Sequence, residues 1–365
     1  MAERTPVDDV TLTPPLDGGP PSLRTRDFDY SLDERLIAQR PLPDRDASRL
    51  LLLRRDEGRF YDRMFRDIAS LIGPGDVLVL NDTHVFPARL TGKKPSGAPA
   101  EVLLIERLDV AGTRWRALVR PGAKLKPGRV VEVAADLQVV VEETVEGGAR
   151  LVRLESGLPP DEALARYGHV PLPPYVRRPD DEGDRDRYQT VYARERGSVA
   201  APTAGLHFSE DLLSAIEARG VSIAMVTLHV GPGTFRPVEV EDPELHHLDA
   251  EWYRVTPQAA ETINQGRARG GAVWAVGTTT VRTLEATIGA DGRLSPGEGK
   301  TDLFIRPGYR FRAVDRLVTN FHLPRSTLLM LVAGFAGYDL TMAAYRHAAR
   351  AGYRFYSYGD AMAVT

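Results

Sequence analysis

The rhythm of apolar and polar positions changes twice along the chain. Before about residue 22 there is none. Pro6, Pro14, Pro15, Pro20 and Pro21 punctuate a segment with few large apolar residues, which predicts a disordered extension. Order is expected from about Phe28. Ser31-Leu32-Asp33-Glu34 reads as a capping box, with Ser31 as N-cap of a helix reaching about Gln39. The leucine run in 49–54 reads as a short buried strand. Residues 63–72 have helical spacing and stop at Gly73-Pro74-Gly75.

Between 77 and 155 the pattern turns to short β-rich runs, at 77–80, 88–90, 101–106, 115–119, 129–133, 138–142 and 150–154. Turn residues such as Pro95, Gly97, Gly112 and Gly147-Gly148 separate them, with no helical stretch between. This predicts a small barrel or sandwich. Beyond 155 helices and strands alternate. Helices are expected at 209–219 with Ser209 as N-cap, from Thr256-Pro257 to near Gly270, at 278–287, from Ser326 to about Phe335 and at 339–350. Strands are expected at 221–230, at 271–276 and ending at Leu317-Val318. The hydrophilic stretch 177–187 reads as a surface loop. The expected organisation is a disordered extension (1–22), an α/β domain (23–74 and 156–365) and an inserted small antiparallel β-barrel (75–155).

Composition adds three constraints. With 365 residues, 42% of them hydrophobic, the chain can bury a sizeable core. It contains no cysteine, which excludes disulfides, thiolate nucleophiles, iron–sulfur clusters and Cys-type zinc sites. Its longest strongly apolar stretch, 328–337, is far shorter than the roughly 20 residues that cross a bilayer. A cytoplasmic protein without a membrane partner is expected. The net charge is −3, yet residues 93–129 hold nine basic and three acidic side chains. Within it, Lys93, Lys94, Arg116, Arg120, Lys124 and Lys126 are candidates for contact with a nucleic acid; the plainer reading is a solubilising barrel face. Trp115, inside that run, is expected in the core.

Familiar catalytic signatures are missing. No G-x-G-x-x-G follows a strand, and no H-E-x-x-H or G-x-S-x-G is present. Gly299-Lys300-Thr301 is not a P-loop, because Leu294 stands where its first glycine belongs. What remains are polar clusters at strand ends and helix starts, where open α/β sheets form their ligand crevice. The first is 202–208, with Thr203, Gly205 and His207 leading into a helix N-terminus whose free N–H groups suit a carboxylate or phosphate. The second is 228–237, where Gly231 and Gly233 let the backbone approach a ligand beside His229, Thr234 and Arg236. The third is 275–285, with Thr278 and Thr279 at a strand-to-helix junction and Arg282 and Glu285 three residues apart on one helix face. The fourth is 317–327, with Asn320 and His322 between apolar segments. An ordinary cap, a Gly-Pro turn or a surface ion pair would account for the first three without function. A metal site at His246, His247, Asp249 and Glu251 is disfavoured, because adjacent histidines of a strand face opposite ways.

These segments resemble one family, the S-adenosylmethionine:tRNA ribosyltransferase-isomerases of queuosine biosynthesis. The resemblance rests on FDYSLDERLIAQRPLPDRDASRLL (28–51), DVLVLNDTHVFPARLTG (76–92), APTAGLHFSEDLL (201–213), TLHVGPGTFRPV (227–238), AVGTTTVRTLE (275–285), LVTNFHLPRSTLLMLVAGFAG (317–337) and YRFYSYGDAM (353–362), in that order. The last adds Tyr358 and Asp360 as candidate substrate contacts. The resemblance implies an α/β domain with an inserted six-stranded antiparallel barrel. It implies transfer and isomerisation of the ribosyl group of S-adenosylmethionine onto 7-aminomethyl-7-deazaguanine at the tRNA wobble position. Epoxyqueuosine-tRNA would form, with adenine and methionine released. S-adenosylmethionine would be consumed as a substrate, so no cofactor and no metal are expected; the partners would be tRNA and S-adenosylmethionine, and the family suggests a monomer. The sulfonium acidifies the C5′ hydrogens, so a base must remove one and an acid should assist adenine departure; His229, His207 and His322 are the candidate imidazoles. The chain departs from the family pattern at Asp249, where the family usually carries a second histidine, and at Ser96-Gly97-Ala98-Pro99. Two alternatives stay open: a homologue serving another amine or nucleoside acceptor, and an inactive RNA-binding relative.

Overall fold

A computed structural model describes residues 23–235 and 237–365, with Thr234 and Phe235 described by backbone only. The expected extension 1–22, Arg236 and the side chain of Thr234 lie outside the described residues. The strands, in chain order, are β1 (Arg49–Arg54), β2 (Arg59–Met64), β3 (Val77–Asn81), β4 (Thr83–Val85), β5 (Arg89–Lys93), β6 (Pro99–Arg107), β7 (Arg114–Arg120), β8 (Val130–Ala134) and β9 (Leu137–Thr144). They continue as β10 (Arg150–Ser156), β11 (Glu195–Ser198), β12 (Ser222–Leu228), β13 (Glu251–Val255), β14 (Val273–Val276), β15 (Gly297–Thr301), β16 (Arg316–Asn320) and β17 (Ala361–Val364). The helices are α1 (Ile68–Leu71), α2 (Pro160–Tyr167), α3 (Glu182–Arg187), α4 (Glu210–Glu217), α5 (Pro257–Ala268), α6 (Thr278–Thr287), α7 (Thr327–Ala336) and α8 (Tyr338–Arg350).

Nine strands form one mixed sheet, ordered β15-β13-β12-β3-β14-β16-β17-β1-β2. Its middle, β12-β3-β14-β16, is parallel, so four strands end at one edge. Both faces are covered. Leu51, Leu53, Val77 and Val79 face a core built with α5 to α8, while Leu50, Leu52, Leu78 and Leu80 face α1 and α4. Burial on both sides explains why these strands read as unbroken apolar runs. Strands β5 to β10 close a six-stranded antiparallel barrel ordered β10-β7-β6-β5-β8-β9, filled by alternate residues such as Val102, Leu104, Trp115, Ala117 and Val119. The barrel leaves the α/β domain after β4, and the chain rejoins the domain along β11; β4 and β11 pair in parallel. Among the described residues, no single helix is long and apolar enough to cross a membrane.

Several expectations change. The first strand assigned to the insertion, Val77–Asn81, lies at the centre of the large sheet between β12 and β14. It is buried at all five positions, where a barrel strand would alternate. The helix expected from Ser31 to Gln39 is one 3-10 turn, Glu34–Leu36, capped by Asp33 and not by Ser31. The Asp33 carboxylate accepts from the Arg35 amide two residues on, and the backbone of Leu36 and Ala38 is bonded to Phe355 instead of to itself. Residues 63–72 are helical only from Phe65; Arg63 belongs to β2, paired with β1. The stretch 177–187 is folded. It contains α3, buries Asp184 to 2% exposure, and binds that carboxylate to Arg178 at 2.6 Å and to the Tyr358 hydroxyl at 2.8 Å. Lys300 lies within β15, with its ammonium 3.0 Å from Glu106 on the barrel.

Candidate functional site

The parallel strands end in a knot around Asn81. Its side-chain amide donates to the Leu228 carbonyl (3.0 Å) and the Thr279 hydroxyl (3.1 Å), and its oxygen accepts from the amides of Leu228 (3.0 Å) and Thr83 (3.1 Å). The ends of β3 and β12, the start of α6 and the first residues of β4 are thus tied together. Two cavities open at this edge. The larger, about 490 Å³, lies between the α/β domain and the barrel, against His229, Gly231, Trp252, His84, Arg116 and Lys300. The smaller, about 50 Å³, lies against Thr203, Thr278, Thr279, Asn320 and His322. Val230 is common to both.

The three candidate histidines therefore do not share one cavity, contrary to the expectation of a single crevice. His229 follows β12 and is half-buried. Its Nδ1 is 2.8 Å from the Thr83 hydroxyl and its ring stacks on Trp252, with centroids 4.8 Å apart at 24°. A Cβ on Gly197 would fall 2.4 Å from Nε2, so only glycine can pack against the imidazole there. Burial pushes the His229 imidazole down to about 4, partly opposed by the nearby Glu195 carboxylate. His322 lines the small cavity, with Nε2 2.8 Å from the Thr319 hydroxyl, and burial pushes it down to about 3. His207 is packed into the core. Ser48 holds Nδ1 (2.8 Å), Asn320 meets Nε2 (3.0 Å), and Phe65 stacks on the ring. Burial, aided by the Arg354 and Arg45 guanidinia, pushes its pKa to about 3. With both nitrogens engaged inside the protein, His207 supports Asn320 and meets neither cavity.

The other sequence candidates divide in the same way. Thr203, Thr278, Thr279 and Asn320 line the small cavity, and Gly231 lines the large one. Gly233 stands beside the Asp249 carboxylate, which faces the large cavity. Gly205 is packed against Tyr192, where a Cβ would come within 2.0 Å of the hydroxyl. Arg282 and Glu285, expected to face each other or a ligand, point to different partners. Arg282 forms a buried pair with Glu251 and donates to the carbonyls of Leu303 (3.0 Å) and Thr301 (3.1 Å). Glu251 also accepts from the Gly231 amide at 2.7 Å, so the pair fixes the glycine loop. Glu285 accepts from the amides of Arg312, Ala313 and Val314 and shapes that segment. Asp360 accepts from the amides of Arg49 (2.8 Å) and Arg354 (2.7 Å), and burial raises its carboxyl; with Tyr358 bound to Asp184, both C-terminal candidates are framework. Among the described residues no group of His, Asp or Glu side chains is arranged to hold a metal ion.

On the barrel side, Arg116 lines the large cavity, and Arg120 lines a groove of about 230 Å³ that continues from it past Leu118 and Pro232. Residues 114, 116, 118 and 120 alternate outward along β7, while Trp115, Ala117 and Val119 fill the barrel. Lys93, Lys124 and Lys126 are exposed and Lys94 half-exposed. None of these six cations has an ion-pair partner among the described residues. Sequence reasoning passed over His84 and Asn81. Both lie in the stretch NDTHVFP, where the polar residues directly following a fully apolar strand were the available signal.

A family model described as queuosine biosynthesis protein matches residues 25–364. A Symbiobacterium thermophilum protein, called S-adenosylmethionine:tRNA ribosyltransferase-isomerase, is 54% identical over 345 residues, covering 94% of this chain and 100% of its own length. A Pelobacter propionicus protein of the same name is 50% identical over 339 residues, covering 93% and 99%. Among solved structures, the S-adenosylmethionine tRNA ribosyltransferase of Thermotoga maritima aligns with a TM-score of 0.54 at 40% identity, covering 93% of this chain and 100% of that one. With the family model matched over residues 25–364, the chain belongs to the queuosine biosynthesis proteins.

Proposed function

We propose that the chain transfers and isomerises the ribosyl group of S-adenosylmethionine onto the 7-aminomethyl-7-deazaguanine at the wobble position of tRNA, releasing adenine and methionine. The observation that carries this reading is the large cavity itself. One wall is the His229 loop at the carboxyl edge of the parallel strands, the other the outer face of β7 with its unpaired arginine. A volume of about 490 Å³ suits a nucleoside-sized substrate. The small cavity at the start of α6 suits the methionine carboxylate, which the free N–H groups and dipole of that helix favour. Lys93, Lys94, Arg120, Lys124 and Lys126 attract tRNA phosphates.

His229 is the one of the three histidines first considered that meets the nucleoside. Four carboxylates line the large cavity, and three are paired: Glu251 with Arg282, Glu106 with Lys300, and Asp161 with Arg107 at 3.6 Å. Asp249 has no ion-pair partner among the described residues and stands where the family usually carries a histidine, so it is a fitting acceptor for the C5′ proton. Both walls of the cavity come from one chain, so one copy suffices, and tRNA places the reaction in the cytoplasm. The test is incubation with S-adenosylmethionine and tRNA bearing the precursor base. Adenine and methionine in equal amounts, with ribosyl label in tRNA, are expected. Release of adenine only with a different acceptor, or tRNA binding without turnover, overturns the reading.

A further inference from the structure

Thr83 is fully buried on β4, and among the described residues its hydroxyl makes one hydrogen bond, to Nδ1 of His229. A hydroxyl shut away from water must give its proton to an acceptor or forfeit the bond. The Thr83 amide already donates to Asn81 at 3.1 Å, which fixes the strand and points the side chain at the imidazole. We infer that Thr83 is a positioning residue that donates to Nδ1, so that neutral His229 carries its proton on Nε2 and meets the nucleoside as a hydrogen-bond donor, not as the base that takes the C5′ hydrogen. This rests on the reading that His229 faces the substrate.

The surroundings hold the ring in that state. Trp252 covers one face, and the His229 amide is bonded to the Trp252 carbonyl at 2.9 Å. Glu195 and Arg196 from β11 and Arg254 from β13 are the charged groups nearby; Glu195 and Arg254 pair with each other at 2.6 Å and largely cancel, so burial keeps the ring neutral. Gly197 packs over the ring at the Nε2 end, and His229 lines the large cavity, from which an acceptor atom of a nucleoside can approach Nε2. A neutral imidazole with Nδ1 engaged and Nε2 protonated has no lone pair for a C–H proton. It polarises an oxygen or ring nitrogen of the bound nucleoside, a role known for neutral histidines elsewhere.

The test is nitrogen-resolved NMR of the full chain labelled with 15N-histidine near pH 7, with His229→Gln used to assign the signal. Unprotonated Nδ1 and protonated Nε2 are expected. Thr83→Val, nearly isosteric, should give a mixture of tautomers and lower turnover by about tenfold or more, since a misplaced imidazole proton disables a site whose geometry is intact. Thr83→Ser should restore both. Nδ1 found protonated in the unaltered chain, or a tautomer unchanged in Thr83→Val, overturns the inference. Full turnover in His229→Gln with the expected tautomer overturns instead the reading that this ring serves the substrate.

Discussion

The two domains that meet at the large cavity use charge in opposite ways. On the α/β side, Arg282 and Glu251 are 6% and 8% exposed, each with further hydrogen bonds to backbone, and Arg178–Asp184 repeats the arrangement in the segment around α3. On the barrel side, Lys93, Lys94, Arg116, Arg120, Lys124 and Lys126 stand without acidic partners among the described residues. A buried pair cannot release either member without leaving a charge stranded, so it preserves shape. An exposed unpaired cation keeps its counterions loosely and exchanges them for phosphates. The comparison separates charges that hold the site from charges proposed to recruit the substrate.

Breaking the buried pair should have the largest effect. Arg282→Leu takes the guanidinium from the buried Glu251 carboxylate and should cost about 3–5 kcal/mol, read from chemical denaturation. Adding Glu251→Leu should recover much of that loss. A single-variant cost below about 1 kcal/mol would put Arg282 with the recruiting charges. Acid should act next. Unfolded, an imidazole titrates near 6.5; folded, His207 titrates at about 3. Between those values the unfolded chain binds a proton that the folded chain refuses, so stability falls as pH falls. From pH 7 to 5 His207 alone should account for about 2 kcal/mol of the loss, and His207→Gln should shrink the loss by that much. The smallest effect on stability, within about 0.5 kcal/mol, should come from replacing Lys93, Lys94, Lys124 and Lys126 with Ala. The same variant should bind tRNA more weakly, with the log–log salt slope reduced by about 1.8 if two phosphate contacts vanish. An unchanged slope would make the lysines a solvated face.

The periodicities that place α4 to α8 and the barrel were visible in the sequence, because amphipathic helices and alternating strands write their exposure into residue order. Ser209, Thr256 and Ser326 cap their helices as expected, each accepting from the amide three residues on. Where long-range pairing took the backbone, local pattern misled. Phe355 claimed the stretch after Ser31, and β1 claimed residues 59–64. At the site, residue order located the polar clusters but could not separate side chains that face a cavity from those that hold it. His207, Glu285 and Asp360 have the chemistry of ligand contacts, yet spend every bond inside the fold. That division depends on partners remote in the chain: Ser48 and Asn320 for His207, Arg49 for Asp360, and for Glu285 a segment 27–29 residues on.

The neck of the insertion has a mechanical consequence. A domain tethered by two loose strands could swing to admit a bulky partner. Here the outgoing and returning segments, β4 and β11, are zipped in parallel, and Thr83 and Gly197 flank the same imidazole from either side of that zip. Rotating the barrel would therefore tear the environment of His229. On the proposed function the cleft is a fixed gauge, and the adjustment passes to the more pliable molecule: the anticodon loop would have to unstack its wobble nucleotide and extend it inward. Selectivity then includes how cheaply an RNA loop can be turned out, before any base edge is read.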